Sequence, residues 1–134
     1  MASIPFRFGP QNLAVTTATD ILSPGTSTGG VLFVDGVTGT FATAGNAWLN
    51  HKIVLYHVRV VNKGAGNATF SLFIGATGAG AAGSEFMGSA KVIAANDYVD
   101  WYGRMPIYKG QFLTGFYLTN VCSIIGEGDI SFMA

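Results

Sequence analysis

The chain is poor in charged residues and in the residue types that perform catalysis. Only 10% of its 134 residues are charged, seven basic and seven acidic, whereas a soluble domain commonly carries about 25%. Hydrophobic residues make up 49%, and 19 residues are glycine. A surface with so little charge indicates that part of it is covered by other protein. The length fits a single domain.

The basic residues form no cluster, and the formal net charge is zero. Proteins that bind nucleic acid usually carry a basic patch or stripe. Direct binding of DNA or RNA is therefore not expected. The seven basic positions are spread along the chain: Arg7, Lys52, Arg59, Lys63, Lys91, Arg104 and Lys109.

Cysteine is almost absent, since Cys122 is the single one, and a disulfide framework inside the chain is thereby excluded. Cys122 lies in an apolar run and is interpreted as a small buried hydrophobic residue. A cysteine nucleophile needs a basic partner, and the two histidines, His51 and His57, belong to a different extended segment. The sequence therefore predicts no enzyme, no catalytic residue, no cofactor and no metal site.

Long hydrophobic runs are also missing. No stretch approaches the ~20 apolar residues of a membrane-spanning helix. The first residues lack the apolar core of a secretion signal and are interrupted by Pro5 and Pro10, which is untypical of such signals. We expect neither a membrane segment nor a signal peptide.

What is present is a series of short apolar runs separated by glycine, asparagine and aspartate, a pattern typical of all-β proteins. The spacing of these runs predicts a single-domain antiparallel β-sandwich over residues 13–134, preceded by an extended N-terminal arm over residues 1–12. The candidate strands are 13–22, 31–35, 38–43, 52–62, 68–75, 86–95, 98–102, 106–113, 116–125 and 129–133.

Two of these strands are apolar on parts of both faces. In 52–62, strict alternation places Val54, Tyr56, Val58 and Val60 on one face, and His57 and Arg59 in the middle of the other. In 116–125 it places Phe116, Leu118, Cys122 and Ile124 together. One face of each strand is expected to pack in the core and the other to meet a neighbouring subunit; the alternative is that both are central strands covered by loops.

Two local patterns suggest ligands, but both have simpler interpretations. Residues 78–83 spell GxGxxG, the fingerprint of dinucleotide binding. That fingerprint requires a strand–turn–helix unit, whereas these residues form an alanine- and glycine-rich stretch among strands, interpreted as a flexible loop. Asp97 and Asp100 lie near a turn and are interpreted as capping or solvated residues rather than metal ligands.

Aromatic residues allow more than one role. Trp48, Trp101 and Tyr102 could stack on sugars in a groove, or they could be ordinary core and interface residues. Phe6 and Phe8 lie between Pro5 and Pro10. They are expected to dock on the body of the domain or on a neighbouring subunit, because an isolated arm would leave both rings in water.

Three segments together carry a resemblance to a known group of proteins. They are the strand 14–22 followed by Ser23 and Pro24, the hairpin joining 58–62 to 69–75, and the late pair 106–113 and 116–125. In these segments the chain resembles the small jelly-roll decoration, or cement, proteins of tailed-phage capsids. The resemblance implies a jelly-roll-like sandwich and a non-enzymatic virion protein.

The same resemblance implies how such a protein works. It would form a homotrimer on the capsid exterior, bind a major capsid protein and strengthen the shell against packaged DNA, after assembly in the host cytoplasm. The residues expected to contact another subunit or the capsid are Phe6, Phe8, Phe33, Phe41 and Trp48. An alternative function is a carbohydrate- or receptor-binding jelly-roll module of a phage tail or fibre, with Trp48, Trp101 and Tyr102 stacking on the glycan.

Overall fold

The computed structural model describes residues 3–17, 19–22, 32–34, 37–39, 51–75, 85–108 and 111–132. These residues form strands and turns, and they include no helix that could span a membrane. The strands are β1 (Ser3–Asn12), β2 (Ala14–Val15), β3 (Thr19–Leu22), β4 (Leu32–Val34), β5 (Val37–Gly39), β6 (His51–Asn62), β7 (Ala68–Gly75), β8 (Glu85–Ile93), β9 (Tyr98–Ile107), β10 (Phe112–Leu118) and β11 (Cys122–Phe132).

The strands form two sheets that pack face to face, which confirms the predicted all-β sandwich. The six-stranded sheet has the order β5-β4-β1-β11-β6-β9. The five-stranded sheet has the order β2-β10-β7-β8, and β3 also pairs with β10. The pairing is antiparallel except between β2 and β10, where Ala14 and Val15 run parallel to Phe116 and Tyr117.

The strand pairs are nested like the arms of one long folded hairpin. β7 pairs with β8, β6 with β9, β3 with β10 and β1 with β11. Two further pairs, β6 with β11 and β7 with β10, join these arms into the two sheets. This nested order is that of a jelly roll. The β4–β5 hairpin extends the six-stranded sheet beyond β1.

The core lies between the two sheets and is filled by alternate residues of their strands. The alternation that predicted strands 52–62 and 68–75 reflects this burial, because every second side chain of β7 enters the core from Ala68 to Leu72. The largest fully buried side chains are Phe8, Phe70, Ile53, Leu55, Leu72, Ile107, Leu113, Ile124, Ile130, Val58 and Val60.

The segment predicted as an N-terminal arm is extended, and from residue 3 to residue 12 it forms an interior strand of the six-stranded sheet. It lies between β11 and β4, which pair with its two edges. Phe6 and Phe8 both face the core, because residues two apart point to the same side of a strand. They are 4% and 2% exposed, with ring centroids 6.4 Å apart. The two rings therefore dock on the body of this same chain.

The prediction of one strand over residues 116–125 was wrong. The chain turns at Thr119 and Asn120, where the amide of Asn120 donates to the carbonyl of Leu118. It passes there from β10 in one sheet to β11 in the other. Cys122 and Ile124 consequently point into the core, whereas Phe116 and Leu118 lie on the outer face of the five-stranded sheet. A sheet change cannot be seen in an alternating pattern.

The first residues of the predicted strand 106–113 are also assigned differently. Pro106 and Ile107 are the last two residues of β9, where they pair with Val54 and Ile53 of β6. The next strand, β10, begins at Phe112. β9 therefore runs five residues beyond Tyr102, where the predicted strand ended, and its proline lies near the strand end, as prolines in sheets do.

Substitution of Gly128 by alanine is expected to lower the free energy of unfolding by about 1–3 kcal/mol. At this position β11 approaches β6 so closely that a Cβ would collide with the backbone carbonyl of Val54. The matched control is Gly66→Ala, where an added Cβ would lie 3.3 Å from the side-chain amide of Asn120; we expect a change within about 0.5 kcal/mol. Urea unfolding of both variants measures the difference, and equal stabilities would contradict this close approach.

Candidate functional site

The outer face of the six-stranded sheet is organised by an irregularity in β6. Relative to β9 the register shifts between Leu55 and His57, and relative to β11 it shifts between Glu127 and Gly128. Such a β-bulge places two successive residues on the same side of a strand. Tyr56 and His57 therefore both lie on the outer face, while the core-facing residues are Ile53 and Leu55 before the bulge and Val58 and Val60 after it.

This bulge corrects the predicted faces of the strand. Strict alternation placed Tyr56 with Val58 and Val60, but those two valines are buried in the core and Tyr56 is not. The polar middle of the opposite face, His57 and Arg59, was predicted and does lie outside the core. The extra residue at the bulge changes the phase of the alternation, which the sequence pattern did not reveal.

Asp100 on β9 joins His57 and Arg59 into one hydrogen-bonded group. Arg59 donates through Nε to Oδ1 of Asp100 at 2.7 Å and through Nη2 to Oδ2 at 3.0 Å. His57 Nε2 lies 2.8 Å from Oδ1 of the same carboxylate. The Arg59 hydrogen bonds, and then the His57 bond, lower the pKa of Asp100 from its ordinary 3.8 to about 2. The carboxylate is thus ionised over the whole neutral range.

Replacement of Asp100 by asparagine is expected to destabilise the protein in a pH-dependent way. A lowered folded-state pKa stabilises the protein above the unfolded-state pKa, and that stabilisation is lost as pH falls through the folded-state value. The difference in free energy of unfolding between wild type and Asp100→Asn should therefore be largest above pH ~4. This difference should decrease as the pH falls from ~4 to ~2. Urea unfolding at a series of pH values measures this gap.

The control for this measurement is Asp97→Asn. Asp97 is an exposed residue on the turn before β9, and its Oδ1 accepts a hydrogen bond from the Tyr98 amide. An asparagine oxygen can accept the same bond, so this variant should follow the wild type across the pH range. A stability gap for Asp100→Asn that stayed constant from pH 6 to pH 2 would show that the ion pair does not form.

Two exposed tyrosines of β9 cover this group. The ring of Tyr102 is stacked on His57, with 4.5 Å between centroids and 10° between planes. The guanidinium of Arg59 lies over the Tyr98 ring, 4.5 Å from its centroid. Tyr102 and Tyr98 are nevertheless 70% and 53% exposed. Both rings therefore hold a basic side chain on one side and leave much of their surface accessible.

A second polar group lies further along the same face. The hydroxyl of Tyr56 donates to Oδ2 of Asp129 at 2.8 Å, and the guanidinium of Arg104 lies 5.3 Å from the Tyr56 ring centroid. The hydrogen bond to Asp129, followed by partial burial, raises the pKa of the Tyr56 hydroxyl. We call this outer surface the polar face; its charged residues are Arg7, Lys52, Arg59, Arg104, Asp100, Glu127 and Asp129.

A shallow depression of about 190 Å³ opens on the polar face. Its position follows from the sheet register, since Arg7 is paired with Glu127, Glu127 with His57 and His57 with Tyr102 on four successive strands. Nδ1 of His57 lies 3.8 Å from Oε1 of Glu127, whose side chain is 64% exposed. The depression is lined by Arg7, His57, Arg59, Ile125, Gly126 and Glu127.

The residues predicted to contact a neighbour or the capsid are not brought together in the described part of the structure. Phe6 and Phe8 are core residues. Phe33 lies in β4, where its backbone is paired with Arg7 of β1. Phe41 and Trp48 lie outside the described residues, as do the GxGxxG residues 78–83.

The residues predicted to stack on a glycan are also separated. Trp101 points inward and packs against the core, with its ring edge-on to Phe86 at 4.9 Å. Tyr102 is the next residue of the same strand and therefore points outward. Trp101 and Tyr102 lie on opposite faces of the sheet and cannot form one stacking platform.

Cys122 is fully buried, and burial raises the pKa of its thiol. A thiol with a raised pKa forms little thiolate at neutral pH, in keeping with the interpretation of Cys122 as a packing residue. Among the residues that the structure describes, no group of three or more His, Cys, Asp or Glu side chains is arranged to hold a metal ion.

Sequence reasoning missed the polar face as a unit. The one available signal was the polar pair His57 and Arg59 inside an apolar strand, which indicated a special position without naming partners. Asp100 and Glu127 lie 41 or more residues further along the chain than Arg59 and His57, so only the sheet register connects them.

The fold and the site together define a jelly-roll protein that carries a pre-formed polar face on one of its two sheets. Comparison with known protein families and with curated proteins gave no match.

Proposed function

We propose that this protein is a non-enzymatic structural virion protein that decorates the exterior of a tailed-phage capsid. In this proposal it forms a homotrimer, binds a major capsid protein and stabilises the shell. The observation that carries the proposal is the contrast between the two outer faces of the sandwich. The polar face holds seven charged side chains, whereas β7 and β10, the central strands of the other sheet, contain no Asp, Glu, Lys or Arg, and the charged residues of that sheet lie in β3 and β8.

The outer side of β7 and β10 has the composition of a protein interface. Phe73 and Phe116 are stacked there with 6.2 Å between ring centroids, and Leu118 is 39% exposed. The centres of protein interfaces are depleted in charge and enriched in aromatic residues. Closed symmetric association of copies covers such a surface, which supports an oligomer as the working form.

The jelly-roll order is compatible with this proposal but does not select it. Jelly rolls occur in viral capsid proteins and in lectins, and a fold does not imply a function. The alternative of a glycan-binding module based on Trp48, Trp101 and Tyr102 is less well supported, because the structure separates Trp101 from Tyr102 across the sheet.

The proposal is tested by adding the purified protein to tailed-phage shells that lack it. We expect the protein to co-sediment with the shells and to raise the temperature at which they release DNA. Phe116→Glu should abolish both effects, because it places a charge on the outer side of β7 and β10, where these two strands carry none. Tyr108→Glu is the control: it adds the same charge at an aromatic residue that follows β9 and is 44% exposed, and it should behave as wild type.

Folding of both variants is checked by circular dichroism and by the unfolding midpoint. Wild-type protein that stays in the supernatant of every shell preparation would contradict the proposal. Equal loss of binding in Phe116→Glu and Tyr108→Glu would show that the outer side of β7 and β10 is not the surface that binds the capsid.

A further inference from the structure

We propose that the depression on the polar face binds a small acidic sugar group, such as a uronic acid residue, through its carboxylate and ring. This site is separate from the uncharged face of β7 and β10, so it does not depend on the capsid proposal. It also differs from a tryptophan-based groove, since its lining contains no tryptophan.

The first argument is that Arg59 is held in position before any ligand arrives. Asp100 accepts hydrogen bonds from Nε and Nη2, and the guanidinium lies over the Tyr98 ring. A guanidinium has five N–H donors, so three remain beyond these two bonds. The side chain is 40% exposed and lines the depression. A fixed donor loses little conformational entropy on binding, which favours affinity.

The basic groups that line the depression can bind an anion. The lining contains two guanidinium groups, of Arg7 and Arg59, and one carboxylate, of Glu127, and the Asp100 carboxylate occupies only two of the Arg59 N–H groups. A planar carboxylate matches the paired N–H groups of a guanidinium and can accept two of them at once. A phosphate could satisfy the same donors, but the other features of the site indicate a ring that carries hydroxyl groups.

Those features are an apolar floor and a hydroxyl acceptor in the lining, and an aromatic ring beside it. Ile125 lines the depression, and the exposed Glu127 carboxylate can accept hydrogen bonds from sugar hydroxyls. Tyr102 stands beside His57 in the same register row; one side of its ring is stacked on His57, and the ring is 70% exposed. The exposed side of this ring faces away from His57, and the C–H face of a sugar that extends from the depression past His57 can pack on it.

The size of the depression limits the ligand to one small group. Pockets for drug-sized molecules occupy ~300–1,000 Å³, and this depression has about 190 Å³. A single sugar ring with its carboxylate fits that scale, either free or at the end of a longer glycan. Binding by one shallow site is expected to be weak, with a Kd in roughly the millimolar range.

The test is a titration of the intact protein with three probes, followed by two-dimensional NMR. Glucuronate is the proposed type of ligand, glucose lacks the carboxylate, and acetate lacks the ring. We expect glucuronate to shift the amide signals of Arg59 and Glu127, with an affinity at least about tenfold higher than that of glucose or acetate. Acetate binding as tightly as glucuronate would show an anion site only and would overturn the sugar assignment, as would the absence of any shift with glucuronate.

Variants then locate the binding. Arg7→Gln and Tyr102→Ala should each weaken glucuronate binding by about tenfold, and both residues are exposed, so the unfolding midpoint should change little. The matched control is Arg104→Gln, because Arg104 lies on the polar face over Tyr56 but outside the depression. Arg104→Gln should bind as wild type. Equal weakening by Arg104→Gln, or no weakening by Arg7→Gln and Tyr102→Ala, would contradict the proposed site.

Discussion

Replacement of Phe8 by alanine is expected to lower the free energy of unfolding by about 3–5 kcal/mol, the range measured for large aromatic residues removed from cores. Phe8 is 2% exposed, and its ring lies directly against the backbone of Gly126 in the neighbouring strand. Because β1 is hydrogen-bonded on both edges, the strand cannot move inward to fill the space. Urea unfolding at a fixed protein concentration, followed by tryptophan fluorescence, measures the loss.

The matched comparison is Tyr102→Ala. This variant also removes an aromatic ring, but one that is 70% exposed, and it should lower stability by less than about 1 kcal/mol. If Phe8→Ala were no more destabilising than Tyr102→Ala, the N-terminal segment would not be an interior strand. The concentration must be fixed because self-association makes apparent stability depend on it.

Replacement of Asn62 by aspartate is expected to have an effect of similar size, about 3–5 kcal/mol near neutral pH. Asn62 is fully buried at the end of β6. Its Nδ2 donates to the carbonyl oxygens of Gly66, Ile93 and Ala94 at 2.8, 3.0 and 3.1 Å, and its Oδ1 accepts from the amide of Gly64 at 2.9 Å. An aspartate would set a buried negative charge against three carbonyl oxygens.

The same substitution at Asn96 is the control, because Asn96 is exposed on the turn before β9. Asn96→Asp should change stability by no more than about 0.5 kcal/mol. The Asn62→Asp defect should also become smaller in acid, since a protonated carboxyl can donate one hydrogen bond again. A defect in Asn62→Asp that matched that of Asn96→Asp would contradict the assigned hydrogen bonds.

The regular strands were predictable from the sequence because their alternation records burial on one side. β6 and β7 agree with the predicted 52–62 and 68–75 to within one residue at each end. Their flanking glycine-rich turn at residues 63–66 was equally clear. Alternation and turn composition depend only on residues that are adjacent in the sequence, so the sequence alone predicts these strands and the turn between them.

The site could not be predicted in the same way, because it depends on register. The bulge at Tyr56 and His57 adds one residue to the strand without any mark in the sequence pattern, and this extra residue decides which side chains face outward. Asp100 was interpreted as a turn residue, and nothing near it in the sequence indicates Arg59. The partner strands of β1 were likewise invisible, so Phe6 and Phe8 could be assigned to the body or to a neighbour but not to one of them.

Asn62 shows a third limit. An asparagine at the end of a strand is typical of a turn, and the sequence gave it no further role. In the structure its side chain joins the end of β6, the turn before β7 and the end of β8. Only the packing of these three segments creates the buried position that makes an amide, rather than an acid, the suitable side chain.

We propose that this protein works by association through the outer side of β7 and β10, the strands of the five-stranded sheet that contain no charged residue. Sedimentation equilibrium gives the mass of the protein in solution. We expect three times the 14.0 kDa chain mass for the wild type and a smaller mass for Phe116→Glu. A wild-type mass of one chain at every concentration measured would contradict it.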